Sequence, residues 1–370
     1  MITPPHSDEE RRDWLRLART PNVGPVTFFE LLTRYKTPAK ALDALPELAR
    51  KAGRKRPLRA PDIADIEAEM EATRRYGAQI VTAADEGFPP LLKALAPPPP
   101  VLTALGRLDL AGKPTIGIVG ARNASAAGRK ISRDMAIRLS QAGYVTVSGL
   151  ARGVDGEAHA ASLEGGTIAV LGGGVDHVYP PQHERLYAAI ASQGLILSES
   201  RFGHRATAKD FPRRNRLITG CARGVIVVEA TERSGSQISA LTAGEQGREV
   251  MAVPGSPLDP RAAGTNHLIR QGAILVRNAD DVLEVLETLS PKELFAPAPP
   301  TFDSEHDAPI PKGQIDSVLE ALTPYPMAIE EIARAAGLGI GRCAAILVEL
   351  ELAGEAHTLP GALAARSVGP

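Results

Sequence analysis

Apolar positions recur along the chain with two different spacings, and the spacing changes near residue 85. In residues 8–84 they fall three or four positions apart, as in Trp14–Leu17, Phe28–Leu32 and Ile63–Met70, and a tight turn occupies residues 21–25. Such spacing is typical of amphipathic helices. The pattern predicts an all-helical module over residues 1–84 that opens with a helix, a tight turn and a second helix.

In residues 85–290 the apolar positions form continuous β-branched runs instead. Helical patterns separate most of these runs, and Gly128–Ala142 is the clearest of them. Continuous apolar strands that alternate with helices indicate a parallel sheet buried on both faces. The fold class is therefore α/β, with an extended Rossmann-like domain over residues 85–290. The predicted strands are Thr115–Val119, Tyr144–Ser148, Thr167–Leu171, Leu195–Ser198, Val225–Glu229, Val250–Val253 and Ala273–Val276.

The pattern changes again after residue 290. Prolines crowd residues 291–313, a composition typical of a linker, and residues 314–370 show three helical segments followed by a possible hairpin. This arrangement predicts a C-terminal winged helix. Residues 313–370 hold three arginines and seven carboxylates, so the module would repel phosphate. A protein-interaction or dimerisation role is therefore favoured over DNA reading.

Composition narrows the class of protein. The chain has 370 residues and a formal net charge of -1. No apolar run reaches the ~18 residues of a membrane span, and the N-terminus lacks the features of a signal peptide, which predicts a cytoplasmic protein. The two cysteines, Cys221 and Cys343, lack zinc-site spacing, and the eight histidines are scattered. We expect free thiols, no metal, no cofactor and no membrane partner.

Positive charge is concentrated in one segment. Residues 201–216 contain six Lys or Arg against one Asp, with Phe202 and Phe211 between them. Cations for phosphates and rings for bases are what single-stranded nucleic acid requires. Pro212 is expected to keep Phe211 in extended backbone, which would present its ring at the surface. An alternative remains open, in which Arg214 or Arg216 is tied to a carboxylate, Glu199 or Glu229, beneath this segment.

A second basic stretch, Gly120–Lys130, follows the first predicted parallel strand. Between Arg50 and Arg59 lies a third, for which a solvated loop is favoured over auxiliary phosphate contact.

Glycine-rich turns follow three of the predicted strands, at residues 148–155, 172–180 and 234–236. Their backbone amides suit an anion. The turn after Thr115–Val119 matches neither the dinucleotide fingerprint nor the P-loop, so neither NAD nor ATP is predicted. No serine lies in a nucleophile elbow, and Asp155 and His159 are explained as local contacts of the following helix. These observations favour a protein that is not an enzyme.

Six blocks of sequence resemble, in order and spacing, the DNA-processing protein A family, also called DprA or Smf. The resemblance spans nearly the whole chain and implies a cytoplasmic protein that binds incoming single-stranded DNA during natural transformation, protects it and loads the RecA recombinase on it. The turn at residues 21–25 resembles a SAM or helix-hairpin-helix turn, but Asn22 replaces a consensus glycine, so helix packing is favoured over DNA contact. The blocks are I-V-G-A-R (118–122), S-G-L-A-R-G-V-D-G-E-A-H (148–159), T-I-A-V-L-G-G-G-V-D-H-V-Y-P (167–180), F-P-R-R-N-R-L-I-T-G (211–220), V-V-E-A-T-E-R-S-G-S (227–236) and G-R-E-V-M-A-V-P-G (247–255).

The resemblance and the glycine turns together give the expected DNA contacts. The resemblance also implies a homodimer, with Asn266, Ile269 and Ile274 as candidate interface residues. Two alternatives stay open: a nucleotide-binding hydrolase of the lysine-decarboxylase-like Rossmann type, whose P-G-G-x-G-T-x-x-E run is replaced here at residues 233–236, and a small-nucleotide sensor. The expected contacts with single-stranded DNA are Arg122, Ser148, Gly149, Arg152, Gly172, Gly173, Gly174, Lys209, Phe211, Arg213, Arg214, Asn215, Arg216, Ser234, Gly235 and Ser236.

Overall fold

The computed structural model describes residues 4–51, 59–232, 234–288, 310–359 and 362–367. Most of the predicted linker and most of the basic run between Arg50 and Arg59 lie outside these ranges.

The N-terminal module is helical, as predicted. It contains α1 (Asp8–Ala18), α2 (Pro25–Tyr35), α3 (Pro38–Lys51) and α4 (Ile63–Arg75). The turn between α1 and α2 places Asn22 at φ 60°, a left-handed conformation that asparagine tolerates better than most residues. Trp14 and Phe28 are buried in the core of the module, with ring centroids 5.3 Å apart.

A nine-stranded sheet forms the centre of the molecule. Its strands stand in the order β1-β2-β6-β5-β4-β3-β7-β8-β9. In that order, each strand from β6 to β9 is parallel to its neighbour. Strand β1 pairs with β2, and β2 with β6, in antiparallel orientation. The strands are β1 (Ala78–Thr82), β2 (Val101–Gly106), β3 (Thr115–Val119), β4 (Val145–Ser148), β5 (Thr167–Leu171), β6 (Leu195–Ser198), β7 (Gly224–Val227), β8 (Glu249–Ala252) and β9 (Ile274–Leu275).

All seven predicted parallel strands are present, within two residues of the expected ends. The antiparallel strands β1 and β2 were missed, and β1 lies in residues that the helical spacing had assigned to the first module. Only one neighbour pairs with β1, because it forms an edge of the sheet. Its outer side is closed by Arg11, which donates to Ile80 O at 3.1 Å, and by Asp85, which accepts from Thr82 N at 2.7 Å. The Arg11–Asp85 ion pair joins these two caps.

Helices cover both faces of the sheet, as the continuous apolar strands predict. Leu217 of α9 and Ala240 of α10 contribute to the core on one face, and Met135 of α6 and Ala158 of α7 to the core on the other. The helices are α5 (Pro90–Lys93), α6 (Ala126–Gln141), α7 (Val154–Ala161), α8 (Glu184–Gln193), α9 (Asp210–Gly220), α10 (Gly235–Glu245), α11 (Pro260–Arg270) and α12 (Ala279–Thr288).

Strand β3 lies between β4 and β7, and the chain continues from it to one side of the sheet before crossing to the other. Loops that leave neighbouring parallel strands in opposite directions open a crevice at the carboxyl edge. Ligands of doubly wound α/β proteins bind at this edge, so the functional site is expected among its loops.

The C-terminal module is a winged helix, as predicted. Helices α13 (Lys312–Ala321), α14 (Ile329–Ala335) and α15 (Ile340–Ala353) pack on a three-stranded sheet of β10 (Met327–Ala328), β12 (Leu363–Arg366) and β11 (Ala356–Leu359), in that order.

The second half of α15 packs against the N-terminal module. Val348 and Leu352 belong to the same apolar core as Trp14 and Phe28. Between the modules, the buried Glu351 carboxylate accepts from the Thr27 hydroxyl and from both the amide and the hydroxyl of Thr358. Burial raises the pKa of Glu351 above its ordinary value. In a DNA-reading winged helix the third helix enters the groove, whereas here part of it is covered by the chain itself.

Candidate nucleic-acid interface

A cleft of about 300 Å³ opens at the carboxyl edge of the sheet, between the loops that follow β3, β4 and β5 and the start of α9. We call it the aromatic cleft. Three arginines, Arg122, Arg152 and Arg214, line it together with two rings, Tyr179 and Phe211, and no carboxylate lies among its described lining residues. Cations without a matching acid give the cleft a positive potential.

The two rings and two of the arginines form one contact group. Phe211 lies against Tyr179 with ring centroids 5.5 Å apart, and the Arg122 guanidinium carbon lies 5.2 Å from the centre of the Phe211 ring. Arg214 approaches the same ring at 5.9 Å. These are cation–π distances. The group therefore offers both an aromatic surface and positive charge within one small cleft.

The backbone at Phe211 is helical, which corrects the prediction of an extended conformation. Phe211 and Pro212 lie in the first turn of α9. A proline is tolerated there because the first-turn amides have no acceptor within the helix. The preference for extended backbone before proline was overridden, and the helix directs the ring into the aromatic cleft.

Arg214 supports the cleft from below and is almost completely buried. Its guanidinium donates to Gly149 O at 2.5 Å and to Val170 O at 2.6 Å. Burial lowers the pKa of Arg214 to about 10, although the nearby Asp155 carboxylate opposes that change. A guanidinium with such a pKa is charged at neutral pH, so Arg214 joins the loop after β4 to strand β5 and still contributes charge to the floor of the cleft.

The loop after β4 holds its own acceptors, which corrects the expectation that its amides face an anion. Gly149 N and Ala151 N donate to the Asp155 carboxylate at 3.1 and 3.4 Å, and Leu150 N donates to His159 at 3.3 Å. The Ser148 hydroxyl is buried and donates to Ile118 O. Ser148 is therefore structural, and we withdraw it from the proposed contacts.

Gly149 has a packing role in the same loop. A β-carbon on it would overlap the Arg214 guanidinium. Arg152, in contrast, is exposed at the rim of the aromatic cleft.

Asp155 and His159 make local contacts, as predicted. However, Asp155 accepts hydrogen bonds from the preceding loop and does not cap α7, because the N-cap residue of α7 is Gly153. Burial raises the pKa of Asp155, although Arg214 and the two loop amides favour its ionised form. Burial also lowers the pKa of His159 to about 3, with the charges of His183 and Arg214 acting in the same direction.

The loop at Gly172–Gly174 is covered by the segment that precedes α9. All three glycines are buried, and Gly174 N donates to His204 O at 2.9 Å. A β-carbon on Gly173 would lie 2.8 Å from the same carbonyl oxygen. Gly173 and Gly174 are therefore needed for the close approach of two chain segments, whereas Gly172 has room for a β-carbon. The expectation that their amides receive a phosphate is corrected accordingly.

The basic segment divides into exposed and buried residues, because α9 turns some of its arginines inward. Arg216 is buried and ion-paired with Glu199 at 2.5 Å, which is the alternative left open by the sequence. Asn215 is buried and its amide donates to Gly235 O at 3.4 Å. Arg216 and Asn215 are therefore withdrawn as direct contacts. Lys209 and Arg213 are exposed.

The second phenylalanine of the basic segment does not face the cleft. The ring of Phe202 packs edge-on against Tyr76 at 5.6 Å between centroids and belongs to a core under α8. The expectation that Phe202 presents a ring to a base is therefore wrong. The second ring of the aromatic cleft is that of Tyr179, which no sequence pattern singled out. Tyr179 lies in the loop that follows β5, so the rule that ligands meet the carboxyl ends of strands could have found it.

The serine turn at Ser234–Ser236 begins α10 and lies beside α9 through the contact of Gly235 with Asn215. It does not line the aromatic cleft among the described residues. Ser236 is buried. The turn remains a candidate contact only for a strand that continues beyond the cleft.

The crevice between β3 and β7 is filled by a side chain of the protein. Glu229 accepts from Ser125 N at 2.9 Å and from the Ser125 hydroxyl at 2.5 Å, at the N-terminus of α6. A β-carbon on Gly128 would overlap this carboxylate. A nucleotide phosphate would need the same position, so Glu229 disfavours both the nucleotide hydrolase and the small-nucleotide sensor.

Neither a metal centre nor a membrane span was found in the described part of the chain. Its His, Cys, Asp and Glu side chains form no group of three that could hold an ion, and none of its helices is long and apolar enough to cross a bilayer. Cys221 and Cys343 are free and buried.

Three family models match the chain, in the order of its modules. A DprA-like N-terminal HHH domain matches residues 8–72, DNA recombination-mediator protein A matches residues 79–287, and a DprA winged helix domain matches residues 298–362. The chain belongs to the DprA/Smf family. It shares 43% identity with DNA processing protein DprA of Bacillus subtilis over 220 residues, 59% of this chain and 74% of the relative.

Other members are similar over different shares of the chain. Protein Smf of Synechocystis is 31% identical over 402 aligned residues, 96% of this chain and 98% of the relative. The X-ray structure of DprA from Streptococcus pneumoniae has a TM-score of 0.66 at 33% identity and covers 76% of this chain and 98% of its own. DNA processing protein A from Helicobacter pylori, described for its single-stranded DNA binding mode, has a TM-score of 0.52 at 30% identity. It covers 56% of this chain and 96% of its own.

Proposed function

We propose that this DprA/Smf family member binds single-stranded DNA in the aromatic cleft and acts as a mediator of recombination. The observation that carries the proposal is the cleft itself, where three arginines surround two contacting aromatic rings without a lining carboxylate. A duplex keeps its bases stacked inside, whereas an unpaired strand exposes them to aromatic side chains. The binding mode described for the Helicobacter pylori relative supports the choice of ligand.

Each residue of the cleft has a distinct role in this proposal. Phe211 and Tyr179 stack on a base, and Arg122 and Arg152 neutralise the adjoining phosphates. Arg214 holds the loop after β4 against strand β5 beneath the base, because it donates to a carbonyl in each of them. The remaining expected contacts, Lys209 and Arg213, lie outside the cleft lining.

The rest of the function follows from family membership and is proposed on that basis. The protein acts in the cytoplasm without catalysing a reaction, protects the bound strand, and loads the RecA recombinase on it during natural transformation. The acidic winged helix is proposed to contact protein, because its third helix is partly covered by the N-terminal module.

Replacing Arg122 or Tyr179 with alanine is expected to weaken binding of a labelled oligothymidine. Loss of a stacked base costs about 1–3 kcal/mol, so Tyr179→Ala should raise Kd roughly 5- to 150-fold. Wild-type affinity should fall as salt rises, and single strands should bind more tightly than duplex of the same length. Fluorescence anisotropy at several salt concentrations measures all three effects.

Lys113→Ala provides the matched control, because Lys113 is an exposed cation before β3, at the opposite edge of the sheet. It should leave Kd unchanged. Equal losses in Lys113→Ala and Arg122→Ala would show that binding depends on general charge alone, and the aromatic cleft would no longer be supported.

The proposed homodimer involves the end of the sheet that carries β9. Four large apolar side chains from this region are exposed: Ile238 at 47%, Leu241 at 66%, Leu258 at 93% and Leu275 at 46%. Exposed apolar residues in one region favour an interface. The three candidates from the sequence are less exposed: Asn266 bonds the backbone of Gly255, and Ile269 and Ile274 are half-buried against the cores on the two faces of the sheet.

Leu241→Glu is expected to convert the dimer to a monomer. The side chain is mostly exposed on α10, so the charge should disturb an interface without disturbing the fold. Size exclusion with light scattering measures the mass, and Ile137→Glu on α6, also partly exposed, serves as the control. A dimeric mass for Leu241→Glu, or a monomeric wild type, would contradict the proposal.

A further inference from the structure

A second cleft of about 250 Å³ adjoins the aromatic cleft on the other side of the first turn of α9. We call it the side cleft. Its floor is formed by Leu171 and Gly172 at the end of β5, and Arg214 lines both clefts. The N-terminal module supplies one wall, because Arg19 reaches across and donates to Glu199 O at 3.0 Å.

The charged groups of the side cleft fall into two classes. Its carboxylates already hold partners, since Glu199 pairs with Arg216, and Asp210 accepts from Thr207 and contacts His204 at 2.9 Å. Arg19 pairs with Glu69. Arg201 and Arg213, in contrast, are exposed, and neither guanidinium has an ion pair or a hydrogen bond within the described ranges.

The first turn of α9 relates the two clefts. Phe211 lines the aromatic cleft and Arg213 the side cleft, since helix residues two positions apart do not share a face. Arg214 lies beneath both. A strand whose base occupies the aromatic cleft would therefore pass over this turn with its backbone directed toward Arg213 and then Arg201.

We propose that the side cleft is a phosphate subsite for the nucleotides next to the one whose base stacks in the aromatic cleft. The inference rests on the proposed function and extends it to a specific course of the strand. The ligand class is a phosphodiester backbone without base recognition. Phe202, the ring adjacent to Arg201, is packed on Tyr76 and offers no stacking surface. Two unpaired guanidinium groups can form charge-assisted bonds to phosphate oxygens.

The test compares two lengths of oligothymidine: a dinucleotide, whose single internal phosphate stays at the aromatic cleft, and an oligomer of about 12 nucleotides, within the range of single-strand site sizes. The double variant Arg201→Ala/Arg213→Ala is expected to bind the short oligomer as wild type does. It should bind the long oligomer roughly tenfold more weakly, as two exposed charge pairs allow. When the logarithm of its affinity for the long oligomer is plotted against the logarithm of the salt concentration, the slope should be shallower than that of wild type. The difference should be about 0.7 for each phosphate that the variant no longer neutralises.

The controls separate this inference from the function on which it rests. Arg122→Ala should weaken both lengths, and Lys113→Ala neither. If wild type binds no oligomer, the proposed function fails. If wild type binds both lengths but the double variant is unaffected, or is weakened by the same factor on both, the side cleft is not a subsite for neighbouring phosphates and the inference is overturned.

Discussion

Replacing Arg214 with alanine is expected to lower the free energy of unfolding by about 3–5 kcal/mol, because two buried carbonyls lose a charged donor and each unsatisfied group costs about 1–3 kcal/mol. The variant would leave the carbonyl oxygens of Gly149 and Val170 without this donor. It would also remove the positive charge nearest to the buried Asp155 carboxylate. Urea denaturation followed by far-UV circular dichroism measures the change.

Two further variants show whether geometry or charge carries this stability. Arg214→Lys keeps the charge but lacks the planar fork that reaches two carbonyls, so most of the destabilisation should remain. Arg213→Ala, one residue earlier on the same helix and exposed, should change stability by less than about 0.5 kcal/mol. If Arg214→Ala unfolded at the same urea midpoint as wild type, the structural role assigned to this side chain would be contradicted.

Acidification from pH 6.5 to about 4.5 is expected to destabilise the wild type relative to His159→Gln. The folded pKa of His159 is about 3, whereas an unfolded histidine titrates near 6.5, so the unfolded state binds the proton first. The stability due to neutral His159 is therefore complete above pH 6.5 and is lost as pH falls. The free energy of unfolding falls by about 1.4 kcal/mol per pH unit, which gives a loss of about 2–3 kcal/mol over this window.

The readout is the difference in slope between the two proteins, not their absolute stability. Protonation of Asp155, whose pKa is raised, acts in the opposite direction and is present in both. Carboxylates with lowered pKa, such as Asp85 and Asp210, lose their contribution only at lower pH. If the free energy of unfolding, measured with urea, changed equally with pH in wild type and in His159→Gln, the assignment of His159 as buried and neutral would be refuted.

The sequence predicted the parallel sheet well because its central strands, β3 to β7, are buried on both faces. Such strands are continuous apolar runs, and β8 and β9, although less buried, follow the same pattern. The antiparallel strands β1 and β2 carry a weaker signal, because a short strand at an edge, such as β1, or next to it, such as β2, need not be uniformly apolar. The burial pattern of β1 alternates only in part.

The candidate site was predicted in composition but not in geometry. Arg122 and Phe211 were found because they follow strand ends in basic, glycine-rich stretches. Arg213, Arg214 and Arg216 are indistinguishable by charge, yet only Arg213 faces solvent. The phase of α9 decides which arginines turn inward, and a segment that opens with F-P did not indicate a helix. The amide-rich loops were correctly located, but their amides serve the protein's own Asp155 and His159.

The capped side of β1 has a consequence for assembly. Arg11 and Asp85 occupy the outward-facing groups of Ile80 and Thr82, so this margin offers little to an incoming strand. The opposite margin, at β9, has no such cap among the described residues. The proposed homodimer, formed through the β9 margin alone, would therefore be a closed pair that cannot propagate into a fibre.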